Sequence, residues 1–293
     1  MQLDESVNLD EVERSSAFAA FSVHLGSPTG PVRVHVWPAA DGASGRPVLL
    51  CLHAATDSGE AFGPLAAALG RRWTVVAPDA PGHGGTLWPP GPHHRIADHA
   101  LTALAVLDRL PSMAGRRAPV VLLGHAMGAL TAARLAAARP RVVTHLMLEE
   151  PARAGSGRPP TAAALRAEIA RRQALGHDGL LAEIRAEAPG WPPDEQQAWA
   201  RSSGEASLDA FRVRVDWGEP LVALLADVQA PVTLVHGARA RGGTVPGSAA
   251  RRCAAACRSG CEIVPLDCGP QPRREAREPF IAVLASVLGR TER

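Results

Sequence analysis

Short apolar runs that alternate with helix-like stretches are the feature that most restricts the fold of this chain. Runs such as PVLLCLH and PVVLL are apolar at nearly every position, which is typical of strands covered on both faces of a sheet. Stretches with apolar residues at helical spacing lie between such runs. Repeated strand–helix units predict a mostly parallel sheet with right-handed crossovers. We expect strands at residues 47–53, 73–77, 119–123, 142–148, 231–235 and 261–266, and helices at 58–69, 96–110, 127–138, 248–257 and 274–288.

Two other parts of the chain depart from this alternation. Residues 17–25 and 32–37 are strand-like and are joined by the turn-forming segment GSPTG, which predicts an antiparallel β-hairpin. Residues 151–227 are helical, are interrupted by Pro and Gly, and contain no convincing strand. An insertion between two sheet strands is expected to form a lid over their carboxyl ends. We therefore predict a polar tail of residues 1–15, a core domain of residues 16–151 and 228–293, and a helical lid of residues 152–227.

Composition narrows the class of protein. Hydrophobic residues make up 46% of the 293 residues and charged residues 20%, as in ordinary globular proteins. The formal net charge of +2 gives no electrostatic reason to expect nucleic acid or an anionic membrane as a partner. The acidic N-terminus is unlike a signal peptide, and no apolar run reaches the roughly 18 residues that span a bilayer. We expect a cytoplasmic protein with a small-molecule substrate, and the sequence leaves its oligomeric state open.

The sharpest local motif is the sequence GHAMG at residues 124–128, between an apolar strand and an Ala-rich helix. A nucleophile elbow requires this strand–turn–helix context. The glycines two positions before and after the apex, Ala126, allow the backbone and the helix to approach closely. The apex lies at the helix N-terminus, where the helix dipole and free N–H groups favour developing negative charge.

In this motif the chain resembles the α/β-hydrolase superfamily, and the resemblance extends from the hairpin to the last helix. The segment Leu52-His53-Ala54-Ala55 is similar to the family's oxyanion loop, although Ala54 stands where Gly is usual. The segment APDAPGHG at residues 77–84 is similar to the Asp-x-x-Gly-His-Gly turn, and the helical insertion is similar to the family's cap. The resemblance implies an α/β-hydrolase fold with an N-terminal antiparallel hairpin and a helical cap. It also implies a catalytic triad.

Three positions depart from that triad. The apex is Ala126, and alanine offers no nucleophile for covalent catalysis. The usual position of the acid, near Ala238 or Ala240, has no carboxylate. The loop in which the family carries its base reads DCGPQP at residues 267–272, and no histidine follows His236. A substitution made to trap substrate would change only the nucleophile, so we predict a natural loss of the triad.

Some chemistry remains open to such a site. The backbone N–H groups of Met127 and Ala55 are expected to form an oxyanion hole, and each such donor can contribute about 3 kcal/mol to transition-state stabilisation. Glu150 ends the strand that follows the elbow helix, where some family members carry the acid, so it is our first candidate for acid–base catalysis. A structural role for Glu150 is the alternative. His125, beside the apex, is a second candidate base, although packing is the usual role of that position.

The remaining candidates concern ligands and metals. Two neighbouring histidines, His93 and His94, lack a third ligand at useful spacing, and the helical pair Cys253 and Cys257 is read as small buried side chains rather than a metal site. No metal or cofactor is therefore expected. The candidate substrate-binding residues lie in the oxyanion loop, in or beside the lid, and in the loops after the last two strands: Ala54, Thr56, Trp191, Trp217, Arg239 and Pro270.

Three functions follow from these residues. The favoured one is a non-hydrolytic enzyme of cyclase, lyase or isomerase type that acts on a small apolar metabolite in specialised metabolism. The second is a ligand-binding protein without catalytic activity. The third is an esterase- or thioesterase-type hydrolase inactivated by a Ser-to-Ala change. The first two need the same closed pocket, so the sequence does not separate them.

Overall fold

The computed structural model describes residues 21–40, 47–88, 94–110, 118–155 and 159–291. Its strands are β1 (Phe21–Leu25), β2 (Val32–Trp37), β3 (Val48–Leu52), β4 (Thr74–Pro78), β5 (His94–Arg95), β6 (Val120–His125), β7 (Val143–Glu149), β8 (Val215–Asp216), β9 (Val232–Gly237) and β10 (Cys261–Leu266). Eight of these strands form one sheet in the order β1-β2-β4-β3-β6-β7-β9-β10. β2 pairs antiparallel with β1 and β4, and the other neighbours in this sheet pair in parallel. The predicted hairpin and mostly parallel sheet are therefore confirmed.

Helices cover both faces of the sheet. They are α1 (Gly63–Ala68), α2 (Ile96–Leu107), α3 (Met127–Ala138), α4 (Ala162–Glu187), α5 (Pro193–Ser202), α6 (Leu221–Leu225), α7 (Gly247–Ala256), α8 (Pro272–Glu275) and α9 (Arg277–Thr291). Leu50 of β3 packs into the apolar cluster that includes residues of α2, α3, α6 and α7, whereas Leu49 and Cys51 pack into the cluster beneath α1 and α9. Because side chains alternate between two covered faces, β3 is apolar at every position.

The structure differs from the sequence expectation in several elements. The helix expected at 58–69 is a 3₁₀ turn, Gly59–Phe62, followed by α1, and the helix expected at 274–288 is divided between α8 and α9. The expectation that residues 151–227 contain no strand is wrong, because β8 pairs with β5. A strand of two residues is too short to show a period in the sequence. The proposed tail lies outside the described residues, and the boundaries of core and lid stay a prediction.

Ion pairs connect the helices of the insertion to the rest of the protein. In α5, Arg201 donates to Glu60 at 2.7 Å, and Asp194 accepts from Arg277 of α9 at 2.7 Å. The long helix α4 is interrupted at Gly176, whose φ of 63° and ψ of −179° are not helical. Within the part of the chain that the structure describes, no helix is both long and apolar enough to cross a membrane.

Candidate functional site

The chain turns sharply from β6 into α3 at Ala126. Its φ of 48° and ψ of −104° lie in a region that a residue with a Cβ atom rarely adopts. The Ala126 amide donates to the carbonyl oxygen of Glu149 at 3.0 Å, and its carbonyl oxygen accepts from the amide of Ala152 at 3.1 Å. Both hydrogen bonds fix the apex to the end of β7. The turn therefore has the geometry of a nucleophile elbow, with a methyl group where a nucleophile would stand.

The glycines of the elbow allow α3 to approach the loop after β3. A Cβ atom on Gly128 would lie 2.0 Å from the carbonyl oxygen of Leu52, and a Cβ atom on Gly124 would lie 2.5 Å from the carbonyl oxygen of Gly128. Any larger side chain would push α3 away from β3 and β6. Met127 is the first residue of α3, so its N–H group has no acceptor within the helix. The structure thus brings the start of α3 against the loop that the sequence identified as the oxyanion loop.

Two buried histidines hold that loop. His53 accepts from the Ala80 amide through Nε2 at 2.9 Å, so its Nδ1 carries the proton and donates to the carbonyl oxygen of Ala54 at 2.8 Å. His83 contacts the carbonyl oxygen of Ala55 through Nε2 at 2.8 Å. Ala55 is buried, whereas Ala54 and Thr56 are half-buried. The backbone at Ala54 and Ala55 is therefore held by His53 within the loop and by His83 of the turn after β4.

Glu150 has a buried carboxylate whose hydrogen bonds all go to one loop. Its Oε1 accepts from the Gly237 amide at 2.6 Å, and its Oε2 accepts from the amide and the hydroxyl of Thr244 at 2.9 and 2.6 Å. These three donors lie at or after the end of β9, so Glu150 ties the end of β7 to the neighbouring loop. The residue itself has a φ of 41°, which makes it a second strained position next to the elbow.

His125 is buried and bonded to an arginine. Its Nδ1 accepts from Nη1 of Arg273 at 3.2 Å, and the same Nη1 donates to Oε2 of Glu149 at 3.0 Å. Burial lowers the pKa of His125, the charge of Glu149 opposes this shift, and the charge of Arg273 adds to it. His125 is therefore a neutral imidazole whose free lone pair is already used as an acceptor.

Arg273 and Arg274 belong to a buried charge cluster that also contains Asp57, Glu149 and Glu195. Arg274 lies 3.3 Å from Oδ2 of Asp57 and 3.4 Å from Oε2 of Glu195. Burial by itself would raise the pKa of Asp57, but the charges of Arg274 and Arg273 outweigh it and hold that pKa below its usual range. Burial outweighs the same two arginines at Glu195 and raises its pKa. The cluster thus sets two guanidinium groups against three carboxyl groups.

Sequence reasoning missed this cluster. An aromatic ring packs against each of its two arginines. The guanidinium of Arg273 lies 4.7 Å from the ring centre of Phe62, and that of Arg274 lies 5.3 Å from the ring centre of Trp191. Trp191, a candidate substrate-binding residue, is thus half-buried just before α5, against an arginine. Stacking on aromatic rings stabilises a guanidinium that has left water.

The other candidate ligand residues lie in different surroundings. Trp217 is buried in the larger apolar cluster, where it forms part of the core. Arg239 is exposed and donates to the carbonyl oxygen of Gly243 at 2.7 Å. Pro270 is half-buried in a turn fixed by Glu275, whose carboxylate accepts from the amides on either side of that proline. Of the six candidates, Ala54 and Thr56 lie in the loop after β3, which α3 approaches closely at Gly128.

The described residues contain no group of three or more His, Cys, Asp or Glu side chains that could hold a metal ion. His93 lies outside those residues, while His94 is buried and its Nδ1 lies 3.1 Å from the carbonyl oxygen of Ala210. Cys253 is buried and Cys257 is partly buried, and all five cysteines are free thiols.

Comparison with known proteins gives a consistent result. A family model described as "Alpha/beta hydrolase family" matches residues 49–277. Lipase LipV of Mycobacterium tuberculosis is 35% identical over 116 residues, and a serine hydrolase-like protein of Danio rerio is 31% identical over 131 residues. These alignments cover 40% and 44% of this chain, and the chain spans only 41% and 37% of the two relatives.

Solved structures resemble the chain over nearly its full length. An E-2-(acetamidomethylene)succinate hydrolase superposes with a TM-score of 0.67 and 21% identity, covering 91% of this chain and 98% of its own. A thermophilic esterase from Thermogutta terrifontis superposes with a TM-score of 0.68 and 18% identity, covering 94% and 100%. At such low identity these similarities show the fold alone, and they confirm the fold class expected from the sequence.

Proposed function

Because this chain belongs to the α/β-hydrolase family and has no nucleophile at its elbow, we propose that it is a non-hydrolytic member of that family. It binds a small, largely apolar molecule through a carbonyl or carboxylate oxygen at the elbow. The backbone of Ala126 is the observation that carries this proposal. A residue held in such a sparsely populated conformation costs about 1–3 kcal/mol, and such strain concentrates at functional sites. Here the strain serves no nucleophile, but it sets the direction in which α3 begins.

The first N–H groups of α3 are hydrogen-bond donors without an acceptor inside the helix, and they are available to a ligand oxygen. Together with the N–H of Ala55, the N–H of Met127 would donate to an oxygen that gains negative charge, as in an enolate or a carbonyl under attack. Such donors act without a covalent step. They suffice for a cyclisation, an elimination or an isomerisation in which the substrate supplies its own acid or base. Our first candidate function is therefore an enzyme of cyclase, lyase or isomerase type.

A ligand-binding role without turnover is the second candidate, and one observation favours it. Both side chains that could move a proton beside the apex are already engaged, Glu150 by three donors and His125 by Arg273. A general base must have a free lone pair within reach of the proton that it removes. The two candidates share one site and differ only in whether the bound molecule changes.

Hydrolysis of short-chain p-nitrophenyl esters tests the proposal, with the unaltered protein, Ala126→Ser and Ala126→Ser/Pro270→His compared side by side. We expect the first two to be inert, because the loop after β10 supplies no imidazole to activate a hydroxyl. The double variant should exceed Ala126→Ser by about 10²-fold, the lower end of what a general base contributes.

Two results would overturn the proposal. Hydrolysis by the unaltered protein would show a nucleophile elsewhere in the site. Strong hydrolysis by Ala126→Ser alone would show that a base and an acid are still in place, which would identify an inactivated hydrolase.

To separate the two candidate functions, carbonyl compounds that bind are incubated with the protein and followed by NMR. A changed compound indicates an enzyme, and an unchanged one indicates a binding protein.

A further inference from the structure

Three of the five cysteines lie where α7 ends and β10 begins. Cys253 is in the last turn of α7, Cys257 is the residue that follows this helix, and Cys261 is the first residue of β10. All three are free thiols. Cys253 is buried, whereas Cys257 and Cys261 are partly exposed. A small oxidant in solution can therefore reach these last two sulfur atoms.

The turn between α7 and β10 places Cys257 and Cys261 on the same side of the sheet. Gly260 has a φ of 85°, which lets the chain reverse its direction just before β10, and its carbonyl oxygen accepts from the amide of Val232 at 3.1 Å. Both cysteines pack against the larger apolar cluster, to which α7 contributes Cys253. Because successive side chains of a strand point to opposite faces, Cys261 lies on the face that α7 covers.

The two thiols are in contact with each other. The S–H group of Cys261 donates a hydrogen bond to the sulfur of Cys257. Both sulfur atoms also contact carbonyl oxygens of the backbone, at 3.3 Å from Cys257 to Cys253 and at 3.7 Å from Cys261 to Glu262. Two cysteines can form a disulfide without large backbone movement only where their side chains already point toward each other. This pair meets that condition.

The contact makes Cys257 the more reactive of the two thiols. The hydrogen bond from Cys261 lowers the pKa of Cys257, although burial opposes this shift. The same hydrogen bond, together with burial, raises the pKa of Cys261. Burial raises the pKa of Cys253 to about 11 and that of Cys268 to about 12. Because the thiolate is the form that reacts, we expect Cys257 to react first.

We propose that Cys257 and Cys261 are a peroxide-sensitive pair that forms a reversible disulfide. The thiolate of Cys257 attacks an oxygen of a hydroperoxide, the O–O bond breaks, and Cys257 becomes a sulfenic acid. The alkoxide or hydroxide that leaves takes a proton from water. The sulfur of Cys261 then attacks the sulfur of Cys257, the S–O bond breaks, and water leaves with the proton of the Cys261 thiol. The two thiols lose two electrons, the hydroperoxide gains them, and a dithiol reductant restores both thiols by exchange.

This pair is separate from the elbow. Strands β6, β7, β9 and β10 run in parallel, and Cys261 is at the amino end of β10, whereas the elbow follows the carboxyl end of β6. The two features therefore lie at opposite edges of the sheet. The inference does not depend on the proposed function, and we expect oxidation of the pair to leave binding at the elbow unchanged.

Mass spectrometry of the folded protein tests this inference, before and after a small excess of hydrogen peroxide. The oxidised protein should lose the mass of two hydrogen atoms and regain it with dithiothreitol. Trypsin cleaves after Arg258, so the peptides 253–258 and 259–273 should stay linked until they are reduced. Fragmentation of the linked peptides should assign the bond to Cys257 and Cys261.

Three variants separate the roles of the thiols. Cys261→Ser should stop at the sulfenic acid of Cys257, which dimedone traps. Cys257→Ser should be oxidised at least about tenfold more slowly, because its remaining thiols have raised pKa values. Cys253→Ala is the control, since it removes the buried third thiol and should form the disulfide as the unaltered protein does. An unchanged mass after peroxide, a bond that involves Cys253 or a bond between two chains would overturn the proposal.

Discussion

Replacing Arg273 by methionine is expected to destabilise the protein by about 3–5 kcal/mol, the usual cost of leaving a buried charge without its partner. The side chains of Arg273 and Glu149 are both fully buried and lie 3.0 Å apart. After the substitution, Glu149 keeps the backbone donor of residue 273 but loses the guanidinium. Burial alone raises the pKa of Glu149, and Arg273 is the main cause that lowers it. Without Arg273, the pKa of the Glu149 carboxylate should therefore rise.

A double-mutant cycle separates the interaction energy between Arg273 and Glu149 from the cost of leaving one of the two charges without its partner. Arg273→Met/Glu149→Leu removes both charges and fills the space with apolar atoms, so its stability should return to within about 2 kcal/mol of the unaltered protein. Because each single variant should cost about 3–5 kcal/mol and the double variant about 2 kcal/mol at most, the interaction energy from the cycle should be at least about 4 kcal/mol. The Ala126 hydrogen bond uses only the backbone oxygen of Glu149, so the elbow is retained in the double variant.

Urea unfolding at pH 7.5 measures these differences, and the chain offers a matched control. Arg241 and Asp267 form an ion pair whose side chains are 58% and 80% exposed. Arg241→Met should therefore leave the free energy of unfolding nearly unchanged. If Arg273→Met costs no more than this control, or if the double variant is as unstable as the sum of the two single variants, the cluster does not act as a balanced unit and the reasoning fails.

Two further predictions follow from buried groups. Burial lowers the pKa of His83 and of His94 to about 4, so both are neutral in the folded protein and take up protons near pH 6.5 on unfolding. Their contribution to stability is complete above pH 6.5 and falls by about 1.4 kcal/mol per pH unit per histidine as the pH drops toward 4; equal urea midpoints at pH 7.5 and 5.5 would contradict this. Glu150→Gln puts an amide NH₂ against the donors of Gly237 or Thr244, so it should lower the unfolding free energy by about 1–3 kcal/mol in the same assay, and unchanged stability would show a carboxylate free for acid–base work.

The sheet and the elbow could be predicted because their signals are local. Each residue of β3 is apolar since the strand is covered on both faces, and this is visible in five consecutive letters. The elbow is visible because Gly124 and Gly128 are the residues that permit α3 to start against β3 and β6. Both signals lie within a few residues of the feature that they predict.

The charge cluster and the placement of Trp217 could not be predicted, because their causes are distant in the sequence. Arg273 is 124 residues from Glu149, and Arg274 is 217 residues from Asp57. Two adjacent arginines in a polar stretch are ordinarily solvated, and only the tertiary fold brings carboxylates and aromatic rings over them. The same holds for Trp217, which packs into the larger apolar cluster.

The elbow and the charge cluster meet at two residues, which together hold the backbone of the apex. His125 precedes the apex and bonds to Arg273, while Glu149 bonds to Arg273 through its side chain and to Ala126 through its backbone. The conformation of the apex is therefore held by hydrogen bonds of the two residues that adjoin it, His125 and Glu149, and neither bond needs a nucleophile at Ala126. In the non-hydrolytic function proposed above, these groups would hold the direction of the α3 N–H groups without a nucleophile at the apex.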